Sequence, residues 1–341
     1  FLGEISLTLA NTEKTTLALL QGLVTDARDG WEWFLGQIAE IFAHAAELSP
    51  PFEPSLEVSG PGVHREKMPP AILKPSRPSL DAAGLLGRRT AELHIALAAP
   101  TENEAFSAEP FTRDDLARDA ERIEAQIKSA LDLLRLEISR LDEVAADAAA
   151  LLLSRRLELI SRARAIASLP PGGKRIRIHG DFHLGQTLRT RGGVGDAAAR
   201  KGAEPGDFVF LDFEGEPARP LAERRRKQSP LKDVAGMMRS FSYAAHFALN
   251  RFLEAAGENN VKIRPDLLRA WASSWQTEAS AQFLGGYRSA MGDGPEVLPA
   301  PEPAQTLLDA YLLEKALYEL VYELNNRPAW VGIPISGILS L

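Results

Sequence analysis

Polar and apolar positions alternate through Glu4-Ile5-Ser6-Leu7-Thr8-Leu9-Ala10, the period-two signature of a half-buried strand. A turn-like Asn11-Thr12-Glu13-Lys14 and a second strand over 15–24 make the opening a hairpin. After a break at 26–30, apolar residues at Trp31, Phe34, Leu35, Ile38, Ile41 and Phe42 predict a helix over 31–46. The Pro- and Gly-rich stretch 49–78 reads as loop, and 80–98, bounded by Pro78 and Pro100, as a helix. Residues 112–168 are almost free of Gly and Pro and keep a 3.6-residue rhythm. Thr112-Arg113-Asp114-Asp115 supplies an N-cap with acids in the first turn. Two antiparallel helices with a break near 142–150 are expected there; a coiled coil is the rival reading, but the heptads are irregular. Leu169-Pro170-Pro171-Gly172-Gly173 stops the helix, Ile176 and Ile178 form a short strand, and 208–211 forms its partner across a Gly- and Ala-rich connection at 192–206. Helices over 233–253, 265–291 and 303–325 follow, and the tail 326–341 reads as irregular. The fold class is α+β, mostly helical.

Composition narrows the class. With 341 residues, 45% of them hydrophobic and 25% charged, the chain resembles an ordinary soluble protein large enough for two subdomains. A net charge of −7 without a long basic run argues against nucleic acid as a partner. No apolar run approaches the roughly 20 residues of a membrane span, and no signal peptide opens the chain. The absence of cysteine excludes disulfides and thiolate chemistry and fits a cytoplasmic location. The sequence starts at Phe1, in mid-pattern, as a fragment would.

The chemistry concentrates in two segments, each ending a predicted strand. The first is Ile178-His179-Gly180-Asp181-Phe182-His183-Leu184-Gly185-Gln186; the second is Phe208-Val209-Phe210-Leu211-Asp212-Phe213-Glu214-Gly215-Glu216. Phosphoryl transfer asks for positioning, metal ions on the phosphates and an acceptor for the hydroxyl proton. Asp181 suits the last role, while the Gln186 amide oxygen and the Asp212 carboxylate are hard ligands for Mg²⁺. Glu214, two residues on, faces the same side as Asp212 if the strand continues. His179 is expected to buttress the loop more than to perform chemistry. A His-Gly-Asp tripeptide alone is commonly a turn, and the spacing of His179 and His183 would suit another kind of metal site. Gly180 and Gly185 argue against the helix that such a site needs.

The order of these groups resembles the protein-kinase site, with its H-R-D loop, an Asn five residues after the Asp, and D-F-G on the next strand. His-Gly-Asp-x-His-x-Gly-Gln followed by Leu-Asp-Phe-Glu-Gly-Glu is similar to the aminoglycoside-phosphotransferase branch of the kinase-like fold. The flanking segments 86–94, 217–225, 229–241 and 315–330 resemble the maltokinases, which phosphorylate maltose at its anomeric hydroxyl. The resemblance runs from about Leu17 to Ile338. It implies ATP and Mg²⁺ as cofactors, Asp181 as base with His179 beside it, and Gln186, Asp212 and Glu214 at the metal. It also implies Gln21, Gly22, Leu23 and Val24 as the hinge that reads adenine, and Asp233 as anchor of the catalytic loop or simply a helix cap. Sugar-binding groups are expected among His183, Lys315, Tyr318, Glu319, Tyr322, Glu323, Asn326, Arg327 and Trp330; Lys315, Glu319 and Tyr322 share a helix face. The run Arg224-Arg225-Arg226-Lys227 would hold phosphate or simply be solvated.

By the same resemblance, 1–25 are the last strands and hinge of a kinase N-lobe, and 26–341 a helical C-lobe with a long helical insert at about 112–168. Lys14 lies in a turn, and nothing before Thr15 supplies the ATP-binding Lys, its partner Glu or the phosphate-covering loop, so this length alone is expected to be inactive. The implied partners are maltose, ATP and, covalently or not, a trehalose synthase. The alternatives are a kinase of another sugar or of an aminoglycoside, and a regulatory domain of a trehalose synthase.

Overall fold

The computed structural model describes residues 2–9, 14–47, 56–58, 64–66, 70–191, 206–217, 219–258, 264–292 and 297–341. The turn at 11–13 and most of the connection at 192–206 lie outside the described residues.

Strands β1 (Gly3–Leu7) and β2 (Thr15–Leu20) form the antiparallel hairpin the alternation predicts, with a register shift between Ile5 and Ser6. It is not half-buried, however. Ile5, Leu17, Leu19 and Leu20 are each at least 60% exposed, so no described residue covers the apolar side of the ribbon. The break at 26–30 contains a short strand, β3 (Ala27–Asp29), which leads directly into α1 (Gly30–Glu47).

The stretch read as loop holds a small hairpin, β4 (Leu56–Val58) with β5 (His64–Glu66), and then the first turns of α2 (Pro70–Leu97). That helix runs through Pro75 and Pro78, which each remove a backbone donor. Tertiary packing overrides local propensity at this point. The buried Ser76 hydroxyl donates to the Ile72 carbonyl, and Ser79 both donates to the Ser76 carbonyl and accepts from the Trp275 indole N–H at 2.9 Å.

After β6 (Glu109–Pro110), the predicted insert appears as three helices in place of two: α3 (Arg113–Glu137), α4 (Glu143–Ser154) and α5 (Arg156–Ala165). Thr112 and Asp115 form a reciprocal capping box at the start of α3. The first break falls at 138–142, where Asp142 caps α4, and a second falls at Arg155. Strand β7 is Lys174–Arg175, not Ile176 and Ile178, and pairs with β6. Ile176 makes only an isolated bridge to Gln228.

The sheet behind the predicted site is β3–β8–β9, with β8 at Thr187–Thr190 and β9 at Phe208–Phe210. The single turn α6 (Leu221–Arg224) precedes the long helices α7 (Leu231–Glu258), α8 (Pro265–Met291) and α9 (Pro301–Asn326). The tail is not irregular: a 3-10 turn at Pro328–Trp330 is followed by α10 (Gly332–Leu339), whose Ile333, Ile335 and Ile338 are buried.

Phe34 of α1, Phe241 of α7, and Trp275 and Phe283 of α8 form the aromatic centre of the core, with ring centroids 5.5–6.2 Å apart. Helices α2 and α8 cross with their backbones touching. A Cβ at Gly87 would sit 1.9 Å from the Phe283 carbonyl oxygen, and one at Gly286 would sit 2.0 Å from that of Gly84. Gly87→Ala is therefore expected to cost about 1–3 kcal/mol by forcing the helices apart. The urea midpoint should fall with an unchanged slope; a wild-type midpoint would show that the crossing is not tight.

Candidate functional site

The Asp181 loop is held by its backbone. The amides of His179 and Gly180 donate to the two carboxylate oxygens of Asp233 at 2.8 and 2.9 Å. Asp233 lies in the first turn of α7 as a buried acceptor rather than as the helix cap, and it also meets His94 Nε2 at 3.2 Å. Burial pushes its carboxyl upward. The hydrogen bonds from His94 and the Gly180 amide outweigh this, so the net shift is downward.

His179 is buried, and its Nε2 donates to the Leu211 carbonyl at 2.7 Å, tying this loop to the segment that carries Asp212. Its ring sits between Phe182 and Phe213, with centroids 5.2 and 5.0 Å away. It therefore stiffens the loop and does not line the cleft at Asp181. Further along, the Leu184 amide donates to Ser240 Oγ, and the Leu211 amide returns to the Gln186 carbonyl at 3.0 Å.

These ties bring Gln186 and Asp212 together, the amide Nε2 donating to Asp212 Oδ2 at 3.1 Å. Asp212 has φ of +60°, a left-handed conformation that a non-glycine residue holds only when its surroundings impose it. Strand β9 stops at Phe210, so the alternation that would turn Glu214 to the same side does not reach it. Glu214 sits in a turn, exposed, with its carboxylate 3.8 Å from Arg224.

Among the described residues, no cluster of three or more His, Cys, Asp or Glu is arranged to hold a metal alone. One carboxylate and one amide oxygen suit an ion such as Mg²⁺, which takes the rest of its ligands from phosphate and water.

Asp181 opens onto a cleft lined also by Glu216, Arg219, Lys232, Lys315 and Tyr318. Lys315 Nζ stands 4.0 Å from one Asp181 oxygen and His183 Nε2 3.8 Å from the other. At the floor, Lys232 lies 3.3 Å from Glu314, which Arg122 grips through two bonds of 2.8 and 3.1 Å. Burial pushes the Lys232 ammonium down, although Glu314 opposes the shift.

The C-terminal candidates divide. Lys315 reaches the cleft, but Glu319 is buried and bonded by Arg239 at 2.6 and 2.8 Å. Glu323 is buried too, and accepts from Tyr243 and Arg327. Asn326 donates to the Tyr322 carbonyl, and Arg327 lies over the rings of Tyr322 and Trp330. The α9 face that meets the cleft is therefore 311, 314, 315 and 318, because each step toward 319 and 323 rotates side chains onto α7. Tyr311, Glu314, Glu216 and Lys232 are not singled out by the sequence pattern; stepping back four residues from Lys315 and from Tyr318 would have found the first two. The basic run also splits up: Arg224 lines the cleft, while Lys227 pairs with Glu109 at 2.5 Å. Gln21, Gly22, Leu23 and Val24 lie in the connection between β2 and β3, outside any regular element, with Leu23 88% exposed.

Two histidines carry a pH signature. Burial pushes both His183 and His246 below the ordinary imidazole value; Asp181 opposes this at His183, and the Ser242 carbonyl does so at His246. The unfolded chain thus takes up protons near the ordinary value of about 6.5 before the folded chain does, so stability falls as pH drops below that value. Urea midpoints should be lower at pH 5.5 than at 7.5, and the double variant His183→Gln/His246→Gln should flatten the difference. An unchanged slope in that variant would refute the assignment.

No family model matches the chain. Among curated proteins it is 25% identical over 342 residues to a glucosamine kinase of Streptacidiphilus jiangxiensis, covering 98% of this chain and 60% of that protein. It is 24% identical over 344 residues to a glucosamine kinase of Mycolicibacterium smegmatis, covering 99% and 66% respectively. The chain thus spans some three-fifths to two-thirds of these relatives. Among solved structures, a glucosamine kinase in complex with glucosamine, ADP and inorganic phosphate superposes with a TM-score of 0.66 at 22% identity, over 98% of this chain and 62% of that one. A second crystal form of a glucosamine kinase superposes with a TM-score of 0.64. The chain shares the fold of these kinases. No helix among the described residues is long and apolar enough to cross a membrane.

Proposed function

We propose that the chain carries the phosphoryl-transfer site of an ATP-dependent sugar kinase, with Asp181 accepting the proton of the attacking hydroxyl. The observation that carries this reading is the convergence, on one backbone-clamped loop, of Asp181 at a polar cleft and of Gln186 against Asp212 at 3.1 Å. Asp181, with Lys315 and His183 beside it, stays available to a hydroxyl because the loop is held by Asp233 and not by its own carboxylate. Gln186 and Asp212 would hold Mg²⁺, which when bound neutralises phosphate charge as it develops. The rigid ties at His179 and Leu211 keep base and metal ligands in fixed relation. On this reading, residues 1–25 end a nucleotide-binding lobe, 21–24 are its hinge, and the body belongs to the aminoglycoside-phosphotransferase type.

Maltose, phosphorylated to maltose 1-phosphate, is the acceptor that the flanking segments favour, with trehalose synthase as the associated enzyme. Glucosamine is the second reading. The two relatives named above favour it, and the Asp181 and Glu216 carboxylates lining the cleft would suit an ammonium group. Calorimetric titration with maltose, glucosamine, glucose, trehalose and an aminoglycoside separates the readings, because sugar binding needs only the cleft. Maltose binding, accompanied by maltose-dependent ADP release in a length of the protein that turns over, is the expected result. Binding of glucosamine alone would replace the acceptor, and no sugar bound or phosphorylated would sink the sugar-kinase reading.

A further inference from the structure

Six cations converge at a place the phosphoryl-transfer site does not use. A groove of about 1230 Å³ opens between α2, α8 and the β3–β8 ribbon, lined by Arg28, Lys74, Arg77, Arg88, Arg189 and Arg191. Asp81 is the one carboxylate among its described lining residues, and none of them lines the Asp181 cleft. The accumulation is local, since the chain as a whole carries a charge of −7.

The arrangement comes from two elements. On α2, positions 74, 77, 81 and 88 recur at steps of three, four and seven, which puts them on one helix face. On the ribbon, Arg28 stands directly opposite Arg189 in the antiparallel register. Like charges in that position destabilise a strand pair; Asp207 offsets part of this at Arg189, and an anion between the two arginines would relieve Arg28 as well. Arg28, Lys74, Arg77, Arg88 and Arg191 form no ion pair with any described residue. Arg189 is held in place differently, with its guanidinium 5.2 Å over the Trp33 ring and 4.7 Å over Phe208. Gly84, Gly285 and Gly286 keep part of the α2–α8 wall clear of side chains between the charged positions.

We propose that this groove binds a compact polyphosphate, a ligand that concentrates several negative charges in a small volume. Guanidinium groups pair with phosphate oxygens in bidentate geometry, and concave walls focus the positive potential. A concave site suits a small ligand better than a duplex, which needs an extended basic face. None of the residues lining this groove belongs to the Asp181 cleft, whatever sugar that cleft accepts.

Inorganic tripolyphosphate, titrated calorimetrically at fixed ionic strength without divalent metal, is the probe. One molecule should bind per chain, more weakly as salt rises. Gly285→Glu is the blocking variant. A Cβ there meets nothing within 4 Å, and glycine inside a helix is the poorer helix former, so the substitution fits while placing a carboxylate in the groove. It should weaken binding at least about tenfold, as should Arg77→Ser/Arg88→Ser, which decides the matter if Gly285→Glu fails to fold. Lys315→Ala, in the other cleft, should bind as wild type does. Binding lost in Lys315→Ala but kept in the groove variants would overturn the proposal. So would tighter binding of a duplex oligonucleotide, or no tripolyphosphate binding up to about 10 mM.

Discussion

Asp181→Asn is expected to lower ADP release about 10²–10⁴-fold, the usual contribution of a positioned general base, while sugar binding changes little. The substitution is nearly isosteric, and the loop does not depend on the carboxylate it removes. The amides of His179 and Gly180 are bound by Asp233, the Leu184 amide by Ser240, and the His179 ring by the Leu211 carbonyl. What disappears is the carboxylate proposed as proton acceptor at the edge of the cleft, which faces Lys315 at 4.0 Å. The measurement is turnover on the shortest length of the protein that is active, alongside calorimetric sugar affinity. A loss of less than about tenfold would remove Asp181 from the role of base. A large loss in affinity with little change in turnover would make it a binding group instead.

Asp233→Ala should have the largest effect on the fold itself. It leaves two backbone amides and a buried histidine facing a cavity, and removal of one partner from a buried charged network costs about 3–5 kcal/mol. Because the folded carboxyl sits below its ordinary value, the stabilisation it provides is present above the unfolded value of about 3.9 and is lost as pH falls through the folded value. The penalty of Asp233→Ala should therefore be full at pH 7 and shrink in strong acid. Asp233→Asn, which keeps one acceptor oxygen, should lose less stability yet still loosen the loop, so its turnover should drop more than its urea midpoint suggests. Equal midpoints for wild type and Asp233→Ala at pH 7 would show that the loop is held by something else.

The elements were legible wherever one chemical pattern decided them. The hairpin, the helices around Phe34 and Leu86, the capped start at Thr112 and the long C-terminal helices follow from periodicity and capping chemistry alone. Elsewhere packing outweighed propensity. Pro75 and Pro78 argue for loop but are carried inside α2, whose backbone lies directly against that of α8. The tail that reads as irregular folds as a helix because its isoleucines find a buried surface.

For the site, the sequence by itself determined which functional groups exist and in what order: Asp181, Gln186 and Asp212 stand on two short segments whose spacing is local. Only the tertiary structure decided which of the other charged residues face them. Glu319 and Glu323 sit in the right segment but point onto α7, where Arg239 and Tyr243 bond them, and Arg327 from the end of α9 takes up Glu323 as well. Glu314, Lys315 and Tyr318, one turn earlier, face the cleft. The physical reason is that a helix turns about 100° per residue, so shared periodicity shows which residues lie together but not which neighbour they meet. That depends on how α9 is rotated against α7, which is set by packing between residues some 80 positions apart.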